Sequence, residues 1–570
     1  MDTSLPSFDV REIPFSRRGA WIDLSPVVGL HRTAADVHLV SHRTGMHAVL
    51  ALVPRLGGTN RGSRVTADPA VLTWTCEDGV VEAVFAGDEV IRLRGRGVGM
   101  RIEDAAGELT PFTGAYLYAD PMDGAYVFTS YETGLRYRVT SLAGTIHAEG
   151  AGALGAHGRF VEAGGDEWEL LIEEAAEGTA PARAEGSFDD AVDRVRAEFA
   201  AHLEAVAPWR SVGTPAAALA VYLLWSATVR PAGFLARASV LMSKNWMDKV
   251  WSWDHCFNAL ALAPGLPDDA LDQFLAPFDH QDAGGALPDS IAHSEILRNF
   301  VKPPIHGWTF ARLRRELGRE LSRTELTEVY GRLAAWSRFW LDRRTAPGSD
   351  LPHYQHGNDS GWDNATVFDR DRVVESPDLA AFLVLQLDEL ARLAPEVGSN
   401  EAGFWRGERD RVQAALLSQL HDDDGFFAVG ASSGEPSSRS SLLTALPILA
   451  AHRFPAEVRT QLAEKLAAHL TSWGLATQPP DTPEYDSDGY WRGPIWAPST
   501  LLIEDGLRSA GFADIADTVS ARFRALCERS GFAENFDALT GEGLRDRAYT
   551  WTASVYLVLA RDAVARSAAS

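Results

Sequence analysis

Two spacings of apolar residues divide the chain. Between about residues 15 and 175, apolar and polar positions alternate in short runs broken by glycine and turn residues. Val37-His38-Leu39-Val40, His47-Ala48-Val49-Leu50, Val80-Val81-Glu82-Ala83-Val84-Phe85 and Val90-Ile91-Arg92-Leu93-Arg94 are examples, as are 125–129, 135–139 and 168–172. A period of two puts neighbouring side chains on opposite faces of an extended strand. Many such runs in close succession predict an antiparallel β-sandwich. The charges inside them, such as Arg92, Arg94 and Arg96, fit the solvated face of a strand, and no chemistry is evident there.

Segment 173–186 is rich in Ala, Glu, Gly and Pro and reads as a linker; beyond it the apolar period becomes that of helices. Helices are predicted near 188–206, 215–230, 254–263, 268–278, 305–319, 323–343, 378–393, 402–420, 440–452, 456–469, 496–510, 513–528 and 550–562. With the first set aside as a connector, twelve consecutive helices remain. They have no self-similarity at the ~33–47 residue period of an α-solenoid, so a toroid of six helical hairpins is the better match. The expected organisation is a β-sandwich over 1–175, a linker with connecting helix over 176–210, and an (α/α)6 barrel over 211–570.

Composition excludes several classes of function. The 570 residues suit two large domains. Lys and Arg number 53 against 78 Asp and Glu, a net charge of −25. That excess repels phosphate backbones and anionic lipid surfaces, so neither nucleic acid nor a membrane is an expected partner. Cys76, Cys256 and Cys527 are too far apart for a zinc CxxC or a disulfide framework. The first residues lack a basic and an apolar region, and the most apolar run, 215–229, falls short of the ~20 residues needed to span a bilayer. A cytoplasmic protein is expected. No phosphate-binding loop or dinucleotide fingerprint occurs, and His255, His293 and His306 lack zinc spacing, so no cofactor and no metal is assigned. Segment 484–489 opens like a calcium loop, but Ile495 stands where that loop needs a glutamate.

The candidate chemistry lies in the loops between helices. Many of the 17 tryptophans fall there beside polar residues: Trp246, Trp251, Trp253, Trp308, Trp362, Trp491, Trp496 and Trp551. A sugar presents apolar C–H faces edged by hydroxyls. A site for it needs flat aromatic surfaces together with carboxylates, Arg and amides, and a small carbohydrate is the expected partner. Asp363, after Trp362 in a glycine-containing loop, and Glu534, after Gly531-Phe532-Ala533, sit in apolar surroundings far apart in sequence. Glycoside hydrolysis needs one protonated carboxyl for the leaving oxygen and one ionised carboxylate for water. Each residue also has a plainer reading, Asp363 as a helix N-cap and Glu534 as half of a salt bridge. Asp359 is a reserve for the acid, and Asp254 serves equally as an N-cap.

The blocks Ser360-Gly361-Trp362-Asp363, Tyr490-Trp491-Arg492-Gly493-Pro494-Ile495-Trp496 and Glu534-Asn535-Phe536-Asp537, in this order, resemble glycoside hydrolase family 63 and its relatives. Those relatives are the family 37 trehalases and the mannosylglycerate and glucosylglycerate hydrolases. The resemblance covers roughly 210–562. It implies a catalytic (α/α)6 barrel that cleaves α-glycosidic bonds with inversion, Asp363 as general acid, Glu534 as general base, and Asp254 with Trp253 holding hydroxyls of the cleaved sugar. Lys302, His306, Trp308, Trp362, Tyr490, Trp491, Arg492, Trp496 and Trp551 complete the expected binding set. Trehalases carry Gly-Gly-Arg-Phe where this chain has Lys244-Asn245-Trp246-Met247, which disfavours trehalose. Many relatives have Gln where Lys302 precedes Pro303-Pro304. That cation either meets a substrate carboxylate or pairs with Asp289 or Glu295. The resulting expectation is an exo-acting, α-glucosidase-like enzyme on a small oligosaccharide or glycoside, with glycosylglycerates as the alternative. A sugar phosphorylase and an inert sugar-binding protein are the remaining rivals.

Overall fold

The computed structural model describes residues 5–106, 108–152 and 158–569. The chain forms two compact units. The first is the chain up to Pro208 with Val221–Lys249 and Ala292–Glu295; the second is Trp209–Ala220, Val250–Ile291 and Ile296 onward.

The first unit is a large antiparallel sheet of thirteen strands. They are β1 (Ile22–Gly29), β2 (Arg32–Ser41), β3 (His47–Leu56), β4 (Thr59–Asn60), β5 (Arg64–Ala67), β6 (Leu72–Thr75), β7 (Val80–Gly87), β8 (Val90–Arg96), β9 (Gly99–Asp104), β10 (Ala115–Ala119), β11 (Tyr126–Ser130), β12 (Arg136–Glu149) and β13 (Phe160–Ala175). The main path runs β1-β2-β3-β9-β13-β8-β7-β6-β5. The long β13 pairs with β9 through Phe160–Ala163 and with β8 through Glu167–Glu173, so one strand joins two parts of the sheet. Trp21, Leu39, Leu52, Trp74, Phe128, Tyr137 and Trp168 fill the core. Arg92 departs from the expected solvated face. It is buried, pairs with Glu169 and donates to the Gly186 carbonyl at 3.0 Å. A buried guanidinium is tolerated because carboxylate and carbonyl satisfy it.

Segment 243–249, where trehalases differ, is anchored in this unit. Lys244 Nζ donates to Ser16 Oγ at 2.9 Å and the Ala20 carbonyl at 2.6 Å. His42 sits between Asp23 (2.7 Å) and Asp248 (3.0 Å). Burial favours the neutral imidazole, yet the two carboxylates prevail and push His42 up to about 9. The segment is a buried polar clamp.

The helices are α1 (Phe188–Val206), α2 (Ala217–Ala227), α3 (His255–Leu262), α4 (Pro267–Leu275), α5 (His306–Glu316), α6 (Arg323–Arg343), α7 (Gly357–Ser360), α8 (Pro377–Val397), α9 (Ala402–Gln419), α10 (Ala456–His469), α11 (Ala497–Ser509), α12 (Ala513–Ser530) and α13 (Thr550–Ala569). Local sequence fixes several starts. Ser187 with Asp190 and Ser322 with Glu325 form capping boxes for α1 and α6, and Pro377 opens α8. The helix expected over 440–452 is instead a 3-10 helix, Leu442–Arg453, with Pro447 inside it. Proline supplies no N–H and crowds the carbonyl four residues back.

Packing in the second unit closes on itself. α3 packs against α5, α5 against α8, α8 against the 3-10 helix, that helix against α11, α11 against α13, and α13 against α3. Onto this cycle pack α4 (on α3), α6 and α9 (on α8), α10 (on the 3-10 helix) and α12 (on α11 and α13). Among the described residues no helix is long and apolar enough to cross a membrane.

Candidate active site

Short backbone pairings carry the loops of the second unit to one place. Val250–Trp251 pairs with Ser290–Ile291, which pairs with Ile296–Leu297, so Asp254 and Asp289 are held on neighbouring turns. Ile495 and Phe536 exchange backbone hydrogen bonds at 2.7 and 3.0 Å, joining the Tyr490 and Glu534 loops. Asn364 ties in the third loop. Its side chain accepts from Trp491 N and donates to the Gly489 carbonyl, both at 3.0 Å, and its carbonyl accepts from Arg492 Nε at 2.7 Å.

The Asp363 loop depends on two glycines. Gly361 has φ +73°, and a Cβ there would lie 2.5 Å from the Trp253 ring. A Cβ on Gly357 would lie 2.1 Å from the Asp363 carbonyl oxygen. Both contacts are far inside van der Waals distance, so only glycine permits this approach.

The tryptophans form a continuous buried layer. Ring centroids are 4.4 Å apart for Trp362–Trp491, 4.0 Å and nearly parallel for Trp491–Trp496, 5.5 Å for Trp496–Trp551 and 5.8 Å for Trp551–Trp253, the last two edge-on. All five are buried, and their mutual contacts hold the loops in register. Tyr490 stands at φ +63°, its ring 4.9 Å from Trp496 and capped by the Arg545 guanidinium at 4.9 Å.

Three candidate carboxylates gather around this layer. Asp254 is 4% exposed, makes no capping hydrogen bond to α3, and has Oδ2 buried without a partner. It stands at the N-cap position of α3, as the N-cap reading has it, but its carboxylate does not do the capping. Burial pushes it up to about 8; Lys302 opposes that, while Asp289 and Asp363 add to it. Asp363, half-buried, is also raised by burial, lowered by Lys302 and raised by Asp289. It does not cap the next helix, whose N-cap is Ala365. Glu534 is 4% exposed and accepts one side-chain hydrogen bond, from Tyr490 Oη at 3.1 Å. Among the described residues it joins no ion pair, contrary to the salt-bridge reading. Burial, with Asp546, lifts it to about 7, while Tyr490 and Arg545 pull it down. Both Glu534 and Asp363 raise the half-buried Tyr490 phenol, and both Glu534 and Asp254 raise the buried Tyr549 phenol. The two tyrosines therefore lie within the fields of all three candidate carboxylates.

Other expected residues have different surroundings. Lys302 Nζ pairs with Asp289 at 3.0 Å and donates to the Asn358 carbonyl at 2.8 Å; Glu295 pairs with Lys249 instead. His306 is buried among Phe274, Phe278 and Trp336, with Nε2 at 2.9 Å from the Ser252 carbonyl, and burial holds it down at about 4. It supports the Trp253-Asp254 turn from behind. Trp308 donates to Asp505 at 2.7 Å in a cluster with Arg312. Arg492 fastens Asn364 and Asp369. Asp359, the reserve acid, accepts from Arg344 (2.7 Å), Gln355 N (2.8 Å) and Val301 N (3.1 Å), contacts that tie its loop to neighbouring segments. Sequence reasoning missed Tyr549 and Arg545, and named Asp289 only as a possible partner of Lys302. The mixed charged and aromatic run Arg545-Asp546-Arg547-Ala548-Tyr549 before Trp551 was the available signal for the first two.

Residues 247–552 match a family model described as "Mannosylglycerate hydrolase MGH1-like glycoside hydrolase domain". A mannosylglycerate hydrolase of Thermus thermophilus is 25% identical over 397 residues, covering 55% of this chain and 94% of the relative. A solved family 63 mannosylglycerate hydrolase from another strain of Thermus thermophilus, in complex with glucose, superposes with TM-score 0.55 at 21% identity, over 61% of this chain and 100% of that one. A bacterial glucoamylase complexed with acarbose superposes over 99% of this chain and 96% of its own, with TM-score 0.63 at 10% identity. At such identities the two structures speak to the fold alone.

Proposed function

The chain belongs to the mannosylglycerate hydrolase MGH1-like glycoside hydrolases, and from that premise we propose that it hydrolyses a small α-glycoside of glycerate with inversion, Asp363 acting as acid and Glu534 as base. The helical unit is then an (α/α)6 barrel. The closed cycle of six helices with helices packed onto it supports this, as does the whole-chain likeness to a glucoamylase. The sheet of the first unit is taken as a β-sandwich on the same likeness.

One observation supports the pairing most: Tyr490 donates to Glu534 Oε1 at 3.1 Å, and its phenol is raised by both Glu534 and Asp363, which come from loops 171 residues apart in sequence. Inversion needs two carboxyls about 6.5–9.5 Å apart, with room for water between them. Asp363, whose protonated form burial favours, gives its proton to the glycosidic oxygen as the bond to the anomeric carbon breaks. Glu534 takes a proton from water attacking the opposite face. Tyr490 occupies one oxygen of Glu534 and leaves the other for that water. Asp254, buried and protonated near neutrality, donates a hydrogen bond to a sugar hydroxyl. The relative named a mannosylglycerate hydrolase favours a glycerate aglycone over the neutral α-glucosides that the sequence favoured. A neutral aglycone remains the second reading, because Lys302 is already engaged by Asp289 and Asn358.

Hydrolysis of mannosylglycerate, glucosylglycerate and neutral α-linked disaccharides by the wild type, Asp363→Asn and Glu534→Gln tests the proposal. Glycosylglycerates should be preferred, and each substitution should lower kcat by roughly 10²–10⁴-fold with binding retained. Near-normal turnover by either variant would remove that residue from the mechanism.

A further inference from the structure

The loop that delivers Tyr490 begins beside a cavity away from the catalytic carboxylates. It has a volume of about 530 Å³ and opens between segment 423–426, α10 and residues 479–482. Phe426, Leu462, Ala468 and Pro479 give it apolar walls. Lys465 and His469 also line it, one helical turn apart on the same face of α10.

Neither polar group is neutralised or saturated by the protein. Lys465 Nζ donates to the Arg439 carbonyl at 2.5 Å and to Thr444 Oγ1, which uses two of its three N–H groups. Among the described residues no carboxylate pairs with it. Burial, with the Arg439 guanidinium nearby, depresses it to about 7. His469 Nδ1 lies 2.9 Å from the Ala476 carbonyl. A carbonyl only accepts, so Nδ1 carries the proton. Burial holds the ring neutral, down at about 3. Nε2 is then a bare acceptor, and no protein donor meets it among the described residues. Lys465 is half-buried; a cation partly withdrawn from water without a counter-ion carries a desolvation cost, and a ligand that brings a carboxylate offsets it.

We propose that this cavity is a second ligand site, for a small hydroxylated carboxylate whose anionic group meets Lys465 Nζ and whose hydroxyl donates to His469 Nε2. The rim sharpens the choice. Asp423, Asp424, Glu464 and Asp481 are exposed there, and four carboxylates disfavour multiply charged anions over a compact monoanion. The volume lies within the usual range for small-molecule sites, about 300–1,000 Å³. The inference does not depend on the roles given to Asp363 and Glu534.

The test is calorimetric titration of the full chain with D-glycerate, acetate and glycerol at pH 6.5, paired with crystals soaked in D-glycerate. Density for glycerate between Lys465 and His469 is expected, with acetate binding more weakly and glycerol not measurably. Lys465→Met should weaken this binding step about ten- to a hundredfold and leave hydrolysis unchanged. Ala468→Phe, which fills the cavity without touching either polar group, should abolish the same step and covers the case in which Lys465→Met fails to fold. Isotherms of both variants that superimpose on the wild type, glycerol binding as tightly as glycerate, or density confined to the catalytic loops would overturn the proposal.

Discussion

Replacing Tyr490 by Phe removes one oxygen and tests the role given to Glu534. The phenol donates to Glu534 Oε1 at 3.1 Å, and the acceptor is 4% exposed with no ion-pair partner among the described residues. The hydrogen bond favours the ionised carboxylate, against the burial that lifts Glu534 to about 7. A hydrogen bond to a charged group contributes about 1.5–3 kcal/mol net, and one pKa unit is about 1.4 kcal/mol. Losing it therefore raises the Glu534 pKa by roughly 1–2 units, with the lower figure expected if water enters the vacated space. The ring remains, so its packing on Trp496 and under Arg545, and the 2.9 Å bond from Trp496 Nε1 to the Tyr490 carbonyl, survive. The assay is kcat/KM against pH, which reports groups of the free enzyme. If Glu534 must be ionised to act, the acidic limb of the variant moves to higher pH by about one unit, and activity recovers well above it. A limb that stays in place, or moves down, would refute the reasoning.

Three other substitutions probe the frame. Gly361→Ala forces a Cβ into the Trp253 ring at positive φ; strain and overpacking together should cost about 2–5 kcal/mol, read as a fall in Tm accompanied by lost activity. Lys302→Met strips Asp289 of its partner. It should raise the Asp363 pKa, move the alkaline limb upward, and lower activity on charged and neutral glycosides alike; loss confined to glycosylglycerates would instead place Lys302 on the substrate. Glu534→Gln bears on stability. The folded protein holds this proton up to about 7 whereas the unfolded chain releases it near 4.5, so wild-type stability falls as pH rises through that window, by roughly 3 kcal/mol at most. Thermal melts should show the Gln variant gaining on the wild type above pH 7 and matching it near pH 4; a constant difference would contradict the buried carboxylate.

The helices were legible because each carries its own period, and caps such as Ser187, Ser322 and Pro377 mark their starts. Segment 440–452 was misread because Pro447 stands within an otherwise helical apolar pattern, and whether such a residue ends, kinks or tightens the turn depends on neighbouring helices. Arg92 looked solvated because its ion-pair partner, Glu169, lies 77 residues away in sequence. The same limit applies to the site. Adjacent aromatics signalled Asp363, Glu534 and Tyr490. Nothing local distinguished Trp308, which serves Asp505, from Trp362, which joins the aromatic layer. Asp289 reaches Asp254 through a two-residue strand pairing that leaves no periodic trace. Lys302 could be narrowed to two roles, and only its 3.0 Å contact with Asp289 chose between its candidate protein partners.

The stereochemistry of the first turnover bears most directly on the pairing of Asp363 with Glu534. Proton NMR of wild-type enzyme acting on an α-linked glycosylglycerate, recorded before the free sugar mutarotates, reads the anomer as it is released. Acid and base on opposite sides of the bond predict the β-anomer first, with the α-anomer appearing only as mutarotation proceeds. Release of the α-anomer first would mean a covalent intermediate or attack from the same face, and would contradict the account.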